Sequence, residues 1–353
     1  PSMTKRFLLT LVAGAALLPG CKPTPSTGAK PASTALTVAV ASSVQFAMEA
    51  LIQDYQATHP GAQVKATYGS SGSFFAQIQN KARAMQVLTD PAECGPVTLS
   101  LCQDVQAEAF DYPAAMFEER VWVQRRPAPD AGEFAAALAA LKSAKKPVII
   151  AGGGVLYSGA AATLAAFADK YGIPVMETNA GKSSLPHVHR LNMGSVGVTG
   201  SAACNLLAEQ AHLVLAVGSR LPDFTPSPWA LFKADNVTMV GLNTQPFDAH
   251  KHRALPLVAD AKVGLDQLDA ALGAWRAPAS WTDLALSAKS DWLGAAAKVM
   301  APTNALPSDA QVIGAVHRAR GSGVTLVCAS GGLPGELHKL WPAGAPGSYH
   351  MDY

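Results

Sequence analysis

Short apolar runs alternate with stretches of helical spacing along most of this chain. Residues 36–41 (LTVAVA) predict a buried strand, residues 44–58 carry apolar positions at helical spacing, and residues 63–68 (QVKATY) predict a second strand. A turn that bears serine follows each of the two strands. The pattern predicts a strand–helix–strand unit in the first quarter of the sequence.

The same alternation continues through the middle of the chain. Residues 145–156 (KKPVIIAGGGVL) predict an apolar strand that ends in a glycine turn, and a helix is expected over 159–171. Further strands are expected at 173–178, 212–218, 236–242 and 255–259. Because strands that alternate with helices favour a parallel sheet covered on both faces, we expect an α/β fold. Its central domain is predicted to be a Rossmann-like parallel sheet, with partial α/β domains on either side.

An uncharged apolar run precedes the first strand. Residues 7–18 (FLLTLVAGAALL) follow Lys5 and Arg6, which is typical of an export signal, and twelve residues are too few to span a bilayer as a helix. We therefore interpret residues 3–20 as a signal peptide. Residues 21–35 are rich in proline, serine and threonine and are interpreted as a tether. The sequence Leu-Pro-Gly-Cys that ends at Cys21 resembles a bacterial lipoprotein signal, which implies a lipid anchor on Cys21.

Composition and charge exclude two classes of protein. The 353 residues are 49% hydrophobic and 15% charged, whereas a disordered chain needs low hydrophobicity and high net charge. The formal net charge is only +2, and no basic stripe dominates the sequence. We therefore expect no nucleic-acid partner, since such proteins concentrate positive charge on one surface.

Ser43 and Ser71 stand in the turns after the first two predicted strands. Each turn precedes a helical stretch, so hydroxyls and free backbone N–H groups can converge on an anion there. The alternative is that each serine only caps its helix. Residues 36–80 resemble the beginning of periplasmic molybdate-binding proteins of ABC importers, in which the matching serines hold the oxyanion. The resemblance implies a partial lobe over 36–80 with Ser43 and Ser71 as its oxyanion-binding residues and molybdate as the ligand.

From Lys81 onward the chain resembles a different family. The segments that carry the resemblance are GPVTLSLCQDV at 95–105, IPVMETNAGKSSLP at 173–186, NMGSVGVTGSAACN at 192–205, LAVGSRLPDFT at 215–225 and VCASGGLPGELHKLW at 327–341. They are similar to the thiamine-diphosphate-dependent trihydroxycyclohexanedione hydrolases of myo-inositol breakdown. The resemblance implies thiamine diphosphate and Mg²⁺ as cofactors, a cyclic diketone as substrate and a homo-oligomer. In that chemistry the thiazolium ylide attacks a carbonyl and the cofactor accepts the electrons.

Several elements of that family are missing from this sequence. The glutamate that activates the cofactor belongs to the pyrimidine-binding domain, of which only the last part matches, and the metal-binding Gly-Asp-Gly does not occur. We therefore expect no catalytic residue and no metal ligand, and whether the chain is an enzyme stays open. The matching remnant is the turn formed by Ser330, Gly331, Gly332 and Leu333, which in the family contacts the diphosphate.

The two resemblances together predict a composite chain. Residues 81–122 are interpreted as the end of the pyrimidine-binding domain, 123–276 as the central domain and 277–353 as the start of the diphosphate-binding domain. A gene fusion, a misassembled reading frame and a deliberate chimera remain open. Three functions follow as hypotheses: an incomplete hydrolase that is inactive alone, an incomplete oxyanion-binding lipoprotein, or an inert product in which only the central domain folds.

Four further motifs partly match known cofactor or metal sites. The glycine turn at 152–154, with Glu177 at the end of the next strand, approaches a dinucleotide-binding pattern, but a tyrosine replaces the third glycine. Gly181-Lys182-Ser183 resembles the end of a phosphate loop, but Met176 stands where its first glycine is needed. The pairs His187–His189 and His250–His252 have metal-compatible spacing and are interpreted as solvated loop histidines.

The cysteines conflict with the signal peptide. Cys94, Cys102, Cys204 and Cys328 lie in apolar stretches without a CxxC pair, so buried reduced thiols are expected, and these suit the cytoplasm. The signal instead implies the cell envelope.

Overall fold

The structure is a computed structural model. It describes residues 35–41, 45–59, 63–69, 90–92, 109, 111, 114, 117–119, 121, 123–222, 225, 231–232 and 237–351. Cys21, Ser43, Ser71, the predicted signal peptide and the tether lie outside the described residues. The chain divides into two compact units, residues 1–79 with 101–111 and residues 80–100 with 112–353, which are described separately.

The first unit contains a parallel strand–helix–strand motif. Strand β1 (Ala35–Ala41) leads to helix α1 (Gln45–Thr58) and then to strand β2 (Gln63–Gly69). The two strands pair in parallel from Ala35 opposite Gln63 to Ala41 opposite Gly69. Each predicted element is present within one residue of its expected bounds.

The second unit is built on a six-stranded parallel sheet. Its strands are β3 (Pro147–Ala151), β4 (Val175–Glu177), β5 (Asn192–Ser195), β6 (Leu213–Val217), β7 (Thr238–Asn243) and β8 (Leu255–Val258). The order across the sheet is β5-β4-β3-β6-β7-β8, and every neighbouring pair is parallel. The predicted Rossmann-like α/β fold is therefore confirmed. The edge strand β5 was not expected, because Asn192, Gly194 and Ser195 interrupt its apolar pattern.

Helices connect these strands. They are α2 (Ala131–Ser143), α3 (Gly153–Tyr157), α4 (Ala161–Tyr171), α5 (Ala202–Gln210), α6 (Pro246–Ala249) and α7 (Ala261–Leu272). Side-chain caps set four of the starts, since the carboxylates of Asp130 and Asp260, the hydroxyl of Ser201 and the amide oxygen of Gln245 accept first-turn N–H groups. Helix α4 ends at Gly172, whose φ of 68° suits the left-handed cap.

The core of this sheet extends beyond the predicted end of the central domain at residue 276. Strands β3 and β6 are buried along their whole length. Helix α8 (Ala279–Val299) adds Trp281 and Ala285 to the same core. The Trp281 indole N–H donates to the Pro147 carbonyl at 2.8 Å, so α8 is tied directly to the first strand of the sheet.

A smaller core follows α8. It is built by helix α9 (Asp309–Ala319), strand β9 (Leu326–Cys328), helix α10 (Gly332–Leu340) and strand β10 (Tyr349–Met351). Strands β9 and β10 pair in parallel. Its buried residues are Ala296, Ile313, Leu337, Leu340, Trp341, Ala343 and Tyr349. Among the helices that the structure describes, none is long and apolar enough to cross a membrane.

Candidate functional site

The glycine turns at the carboxyl ends of β3 and β6 are used for contact between backbones. A Cβ on Gly152 would lie 2.3 Å from the Gly218 carbonyl oxygen, and one on Gly154 would lie 2.6 Å from the Gly218 Cα. The Gly154 N–H donates to that same carbonyl at 2.9 Å. These glycines therefore allow the backbones at the two strand ends to pack against each other. This packing explains the glycine-rich turn, and no bound dinucleotide is needed to explain it.

Glu177 is turned into the protein. Its carboxylate is 2% exposed, and Oε1 accepts the Leu185 backbone N–H at 3.0 Å. A ribose-binding acid must face the ligand, so the buried position of Glu177 gives no support to a dinucleotide site. The rejection of Gly181-Lys182-Ser183 as a phosphate loop agrees with the structure, because Met176 lies inside β4.

Lys182 is buried beside Glu177, and the two side chains influence each other. Burial raises the pKa of Glu177, and the charge of Lys182 opposes that shift. Burial likewise lowers the pKa of Lys182, and Glu177 opposes it. The Lys182 ammonium lies 5.5 Å from the centre of the Tyr349 ring. The turn after β4 therefore brings two opposite charges into the interior.

The loop that carries Lys182 has an unusual backbone. Ser183 is fully buried and non-glycine, yet its φ is 74°. Within the described part of the chain, its hydroxyl has no hydrogen-bonding partner. Gly181 is required next to it, because a Cβ there would lie 1.9 Å from the Ala151 carbonyl oxygen. Strained, buried loops of this kind occur at functional sites, which makes this loop a candidate.

A small cavity lies between this loop, β5 and helices α8 and α10. It is lined by Glu177, Lys182, His187, Asn192, Met193, Gly194, Lys289, Trp292, Leu293, Lys339 and Ala343. Its free space has room for about one water molecule. The cavity is therefore too small for thiamine diphosphate or a cyclic diketone.

His187 lies at this cavity, and its interpretation as a solvated loop histidine is wrong. Burial lowers its pKa to about 4, and the charges of Lys182 and Lys289 reinforce the shift. Its backbone N–H donates to the Ala343 carbonyl at 2.9 Å, and the Lys289 ammonium donates to its carbonyl at 3.3 Å. His187 thus joins the loop to two later segments.

The other histidines of the two pairs do not form a metal site. His189 lies 3.2 Å from the Asp169 carboxylate, and His250 is exposed. Across the residues that the structure describes, no three histidine, cysteine, aspartate or glutamate side chains are grouped to hold a metal ion.

His338 forms a second contact between the sheet and the C-terminal segment that sequence reasoning missed. Thr199 Oγ1 lies 2.8 Å from its Nδ1, and the Ser195 hydroxyl donates to its carbonyl. Burial lowers the pKa of His338 to about 3, reinforced by Lys182 and opposed by nearby backbone carbonyls. No motif links these residues, since they are 139 or more positions apart, so only the fold reveals the cluster.

The predicted diphosphate turn lies at the other end of the same helix. Ser330 and Gly331 precede α10, which begins at Gly332 and continues through Leu333. All four residues are exposed, and Gly331 has φ of 142°. Backbone N–H groups at a helix start attract anions. The turn and the cavity are therefore separate features, at opposite ends of α10.

Two cysteines can be assigned. Cys204 is buried and free, and burial raises its pKa to about 12, which confirms the expected unreactive thiol there. Cys328 is free and half-buried, while Cys94 and Cys102 lie outside the described residues.

Comparison with known families matches two separate parts of the chain. Residues 134–268 match the central domain of thiamine pyrophosphate enzymes, and residues 36–94 match bacterial extracellular solute-binding proteins. The second match extends past the junction predicted between Asn80 and Lys81. The prediction that two families are joined in one chain is confirmed.

Curated relatives agree with the first match. A 3D-(3,5/4)-trihydroxycyclohexane-1,2-dione hydrolase of Clostridium perfringens is 38% identical over 294 residues, which cover 76% of this chain and 46% of the relative. Hydrolases of the same name from Clostridium tetani and Bacillus cereus are each 37% identical, and the match covers 46% of each. The chain thus spans about half the length of the curated relatives that it matches.

Proposed function

We propose that residues 81–353 are part of a thiamine-diphosphate-dependent hydrolase that cleaves a C–C bond in a cyclic diketone, and that this chain does not turn over substrate alone. The observation that carries the proposal is the match of 134–268 to the thiamine pyrophosphate enzyme central domain on a six-stranded parallel sheet. The similarity to trihydroxycyclohexanedione hydrolases supports the substrate class.

The residues present fit the diphosphate end of the cofactor. Gly331 has no side chain that could cover the N–H groups at the start of α10. A Cβ on Gly332 would meet nothing within 4 Å, so the space beside the turn is open. The exposed N–H groups of this turn would hold phosphate oxygens. Thiamine diphosphate, when bound, supplies a carbanion that attacks a carbonyl. The part of the chain that is described groups no ligands for Mg²⁺, so we assign this chain phosphate contact alone.

The buried carboxylate of Glu177 does not replace the missing activating glutamate. It faces a cavity with room for about one water molecule, where neither ring of the cofactor can enter. Its Oε1 is also engaged by the Leu185 N–H. Without an activating acid the cofactor carbanion does not form at a useful rate, which is why we propose an inactive chain.

A second function is favoured by the match of residues 36–94 to solute-binding proteins. We propose that Ser43 and Ser71 contribute to a weak oxyanion site, with molybdate as ligand. Each serine follows the end of its strand by two positions, and β1 and β2 are parallel neighbours. The carboxyl ends of neighbouring parallel strands meet at one edge, where ligands bind in open α/β sheets. A lipid anchor on Cys21, a place in the cell envelope and a homo-oligomer remain proposals.

The first experiment measures turnover of the cyclic diketone by the purified chain with thiamine diphosphate and Mg²⁺. We expect none, while weak binding of thiamine diphosphate is detected by calorimetry and lost in Gly331→Val. The exposed Gly321, whose Cβ would meet nothing within 4 Å, supplies the control variant Gly321→Val. Measurable cleavage, or binding that Gly331→Val leaves unchanged, would contradict the proposal.

The second experiment titrates the chain with molybdate. We expect millimolar or weaker binding that Ser43→Ala and Ser71→Ala each abolish. Tight binding would show a complete site, and binding that persists in both variants would remove the serines from it.

A further inference from the structure

The strongest unexplained feature is an excess of positive charge around the small cavity. Three lysines line it, Lys182, Lys289 and Lys339, against the single carboxylate of Glu177. His187, with a pKa near 4, is neutral at pH 7 and does not add a charge. A buried charge without compensation is costly, so the arrangement calls for negative charge.

Two of the three lysines have partners. The Lys289 ammonium donates to the carbonyls of His187 and His189 at 3.3 and 2.6 Å. The Lys339 ammonium lies 2.9 Å from the carboxylate of Glu336, which is one helical turn away. Among the described residues, these contacts leave Lys182 as the one of the three lysines without a hydrogen-bonding or ion-pair partner.

Lys182 is 4% exposed, so its side chain is largely removed from water. Among the residues that the structure describes, no carboxylate oxygen lies within 4 Å of its ammonium, which instead lies 5.5 Å from the centre of the Tyr349 ring. The nearby Glu177 carboxylate is directed to the Leu185 N–H instead. An ammonium has three donors to satisfy, and the cavity is the space that it borders.

We propose that this cavity is a binding site for a monatomic anion of the chloride class, held by the ammonium of Lys182. The free space of the cavity accommodates one monatomic ion. It is too small for phosphate, sulfate or any carboxylate. A bound halide would accept from the Lys182 ammonium and favour its protonated form, against the burial that lowers its pKa. It would thereby hold the loop of residues 178–190 against α8 and α10. This site is distinct from the Ser330–Leu333 turn and does not depend on the proposed function.

The test compares thermal unfolding in 0.2 M sodium chloride and 0.2 M sodium gluconate at one pH. Both salts have the same ionic strength and screen charges equally, but the gluconate ion is too large for the cavity. We expect Tm to be higher by roughly 2–4 °C in chloride, because a ligand that binds only the native state stabilises it. Lys182→Met removes the charge at similar length and should abolish the difference.

The matched control is Lys262→Met. Lys262 forms an exposed pair with Asp266 on α7, so its removal should leave the chloride effect intact. If Lys182→Met fails to fold, ³⁵Cl NMR line broadening on the unmodified protein still decides, since a buried halide in exchange broadens the chloride signal. Equal Tm in both salts, a chloride effect that survives Lys182→Met, or an unbroadened ³⁵Cl signal would each overturn the proposal.

Discussion

The six-stranded sheet and the two-stranded sheet of β9 and β10 are both parallel, yet they differ sharply in burial. Every residue of β3 and β6 is buried between helices. Val327 in the middle of β9 is 72% exposed, and the core beside that sheet has seven buried residues. The difference teaches that parallel pairing alone does not make a core. Helices on both faces do, and β9 and β10 have too few of them.

Helix α8 packs into both regions and marks the transition between them. Helix α8 follows the predicted domain boundary at 276, but its first half belongs to the large core through Trp281 and Ala285. Its last turns contribute Ala296 to the small core. The helix therefore links the two regions, and their relative stability depends on which contacts of α8 are strongest.

Limited proteolysis should divide the chain after α8 and not before it. Residues 301–309 are all exposed, and Leu306 is 97% exposed, so thermolysin should cut there first. We expect a resistant fragment that ends between 300 and 308, measured by mass spectrometry. A stable fragment that ends near 276 would show that α8 does not belong to the large core. Loss of every fragment would contradict independent folding of the sheet.

Acid should weaken the contact between the two regions. His338 has a folded pKa of about 3 against an ordinary value near 6.5, so it is stabilising when neutral, above pH 6.5, and this stability is lost as pH falls toward 3. The loss between pH 7 and pH 4 should be about 3 kcal/mol for this group. The raised pKa of Glu177 acts in the opposite direction, because its protonation relieves a buried charge.

Denaturant unfolding at several pH values separates these contributions. His338→Asn keeps a polar atom at the Nδ1 position beside Thr199 but cannot titrate, so it should reduce the acid loss. The part that remains is expected from His187, whose pKa is lowered to about 4. His250→Asn changes an exposed histidine and serves as the control. An unchanged slope in His338→Asn would show that the contact is not the acid-sensitive element.

Each core contains a buried tryptophan, Trp281 in the large core and Trp341 in the small one, and the two differ in the hydrogen bonding of the indole N–H. Trp281→Phe leaves the Pro147 carbonyl without its donor and opens a cavity in the large core, so a cost of about 2–4 kcal/mol is expected. Trp341 is 2% exposed, so Trp341→Phe also opens a cavity, but its indole N–H has no partner among the described residues and no hydrogen bond is lost. A smaller cost of about 1–2 kcal/mol is therefore expected. The urea midpoints of the two variants give the ratio of the two losses in unfolding free energy. Equal costs would mean that the small core is packed as tightly as the large one.

A matched valine pair tests the two sheets directly. Val148→Thr places a hydroxyl in the fully buried β3 and should cost about 1–3 kcal/mol. Val327→Thr makes the same change in exposed β9, and its effect should stay within about 0.5 kcal/mol. A large cost at Val327 would reveal that its face is covered in solution, for instance by a second copy of the chain.

Sequence reasoning succeeded where a strand is apolar throughout and failed where the fold combines distant polar residues. The runs that became β3 and β6 were predicted within two residues, because a strand buried on both faces needs an unbroken apolar sequence. Strand β5 was missed, since its edge position tolerates Asn192 and Gly194. Glu177 and Lys182 were noticed only as parts of two failed motifs.

The cavity could not be predicted from the sequence, because the residues that line it are far apart along the chain. His187 and Lys289 are 102 positions apart, and their contact depends on how α8 crosses the loop after β4. Spacing rules describe one helix, strand or turn at a time. A cluster assembled from four elements has no local signature, so its charge imbalance becomes visible only after the fold is known.

The start of α10 contains two adjacent glycines that should respond in opposite directions to the same substitution. Gly331 has φ of 142° and ψ of −170°, a conformation open almost only to glycine, so Gly331→Ala should cost about 1–3 kcal/mol although no atom crowds its Cβ. Gly332 begins the helix with open space around it, so Gly332→Ala should stabilise by about 0.4–1 kcal/mol. Urea unfolding monitored by circular dichroism measures both. If Gly331→Ala costs nothing, the turn does not hold the shape that exposes its N–H groups, and the proposed diphosphate contact loses its structural basis.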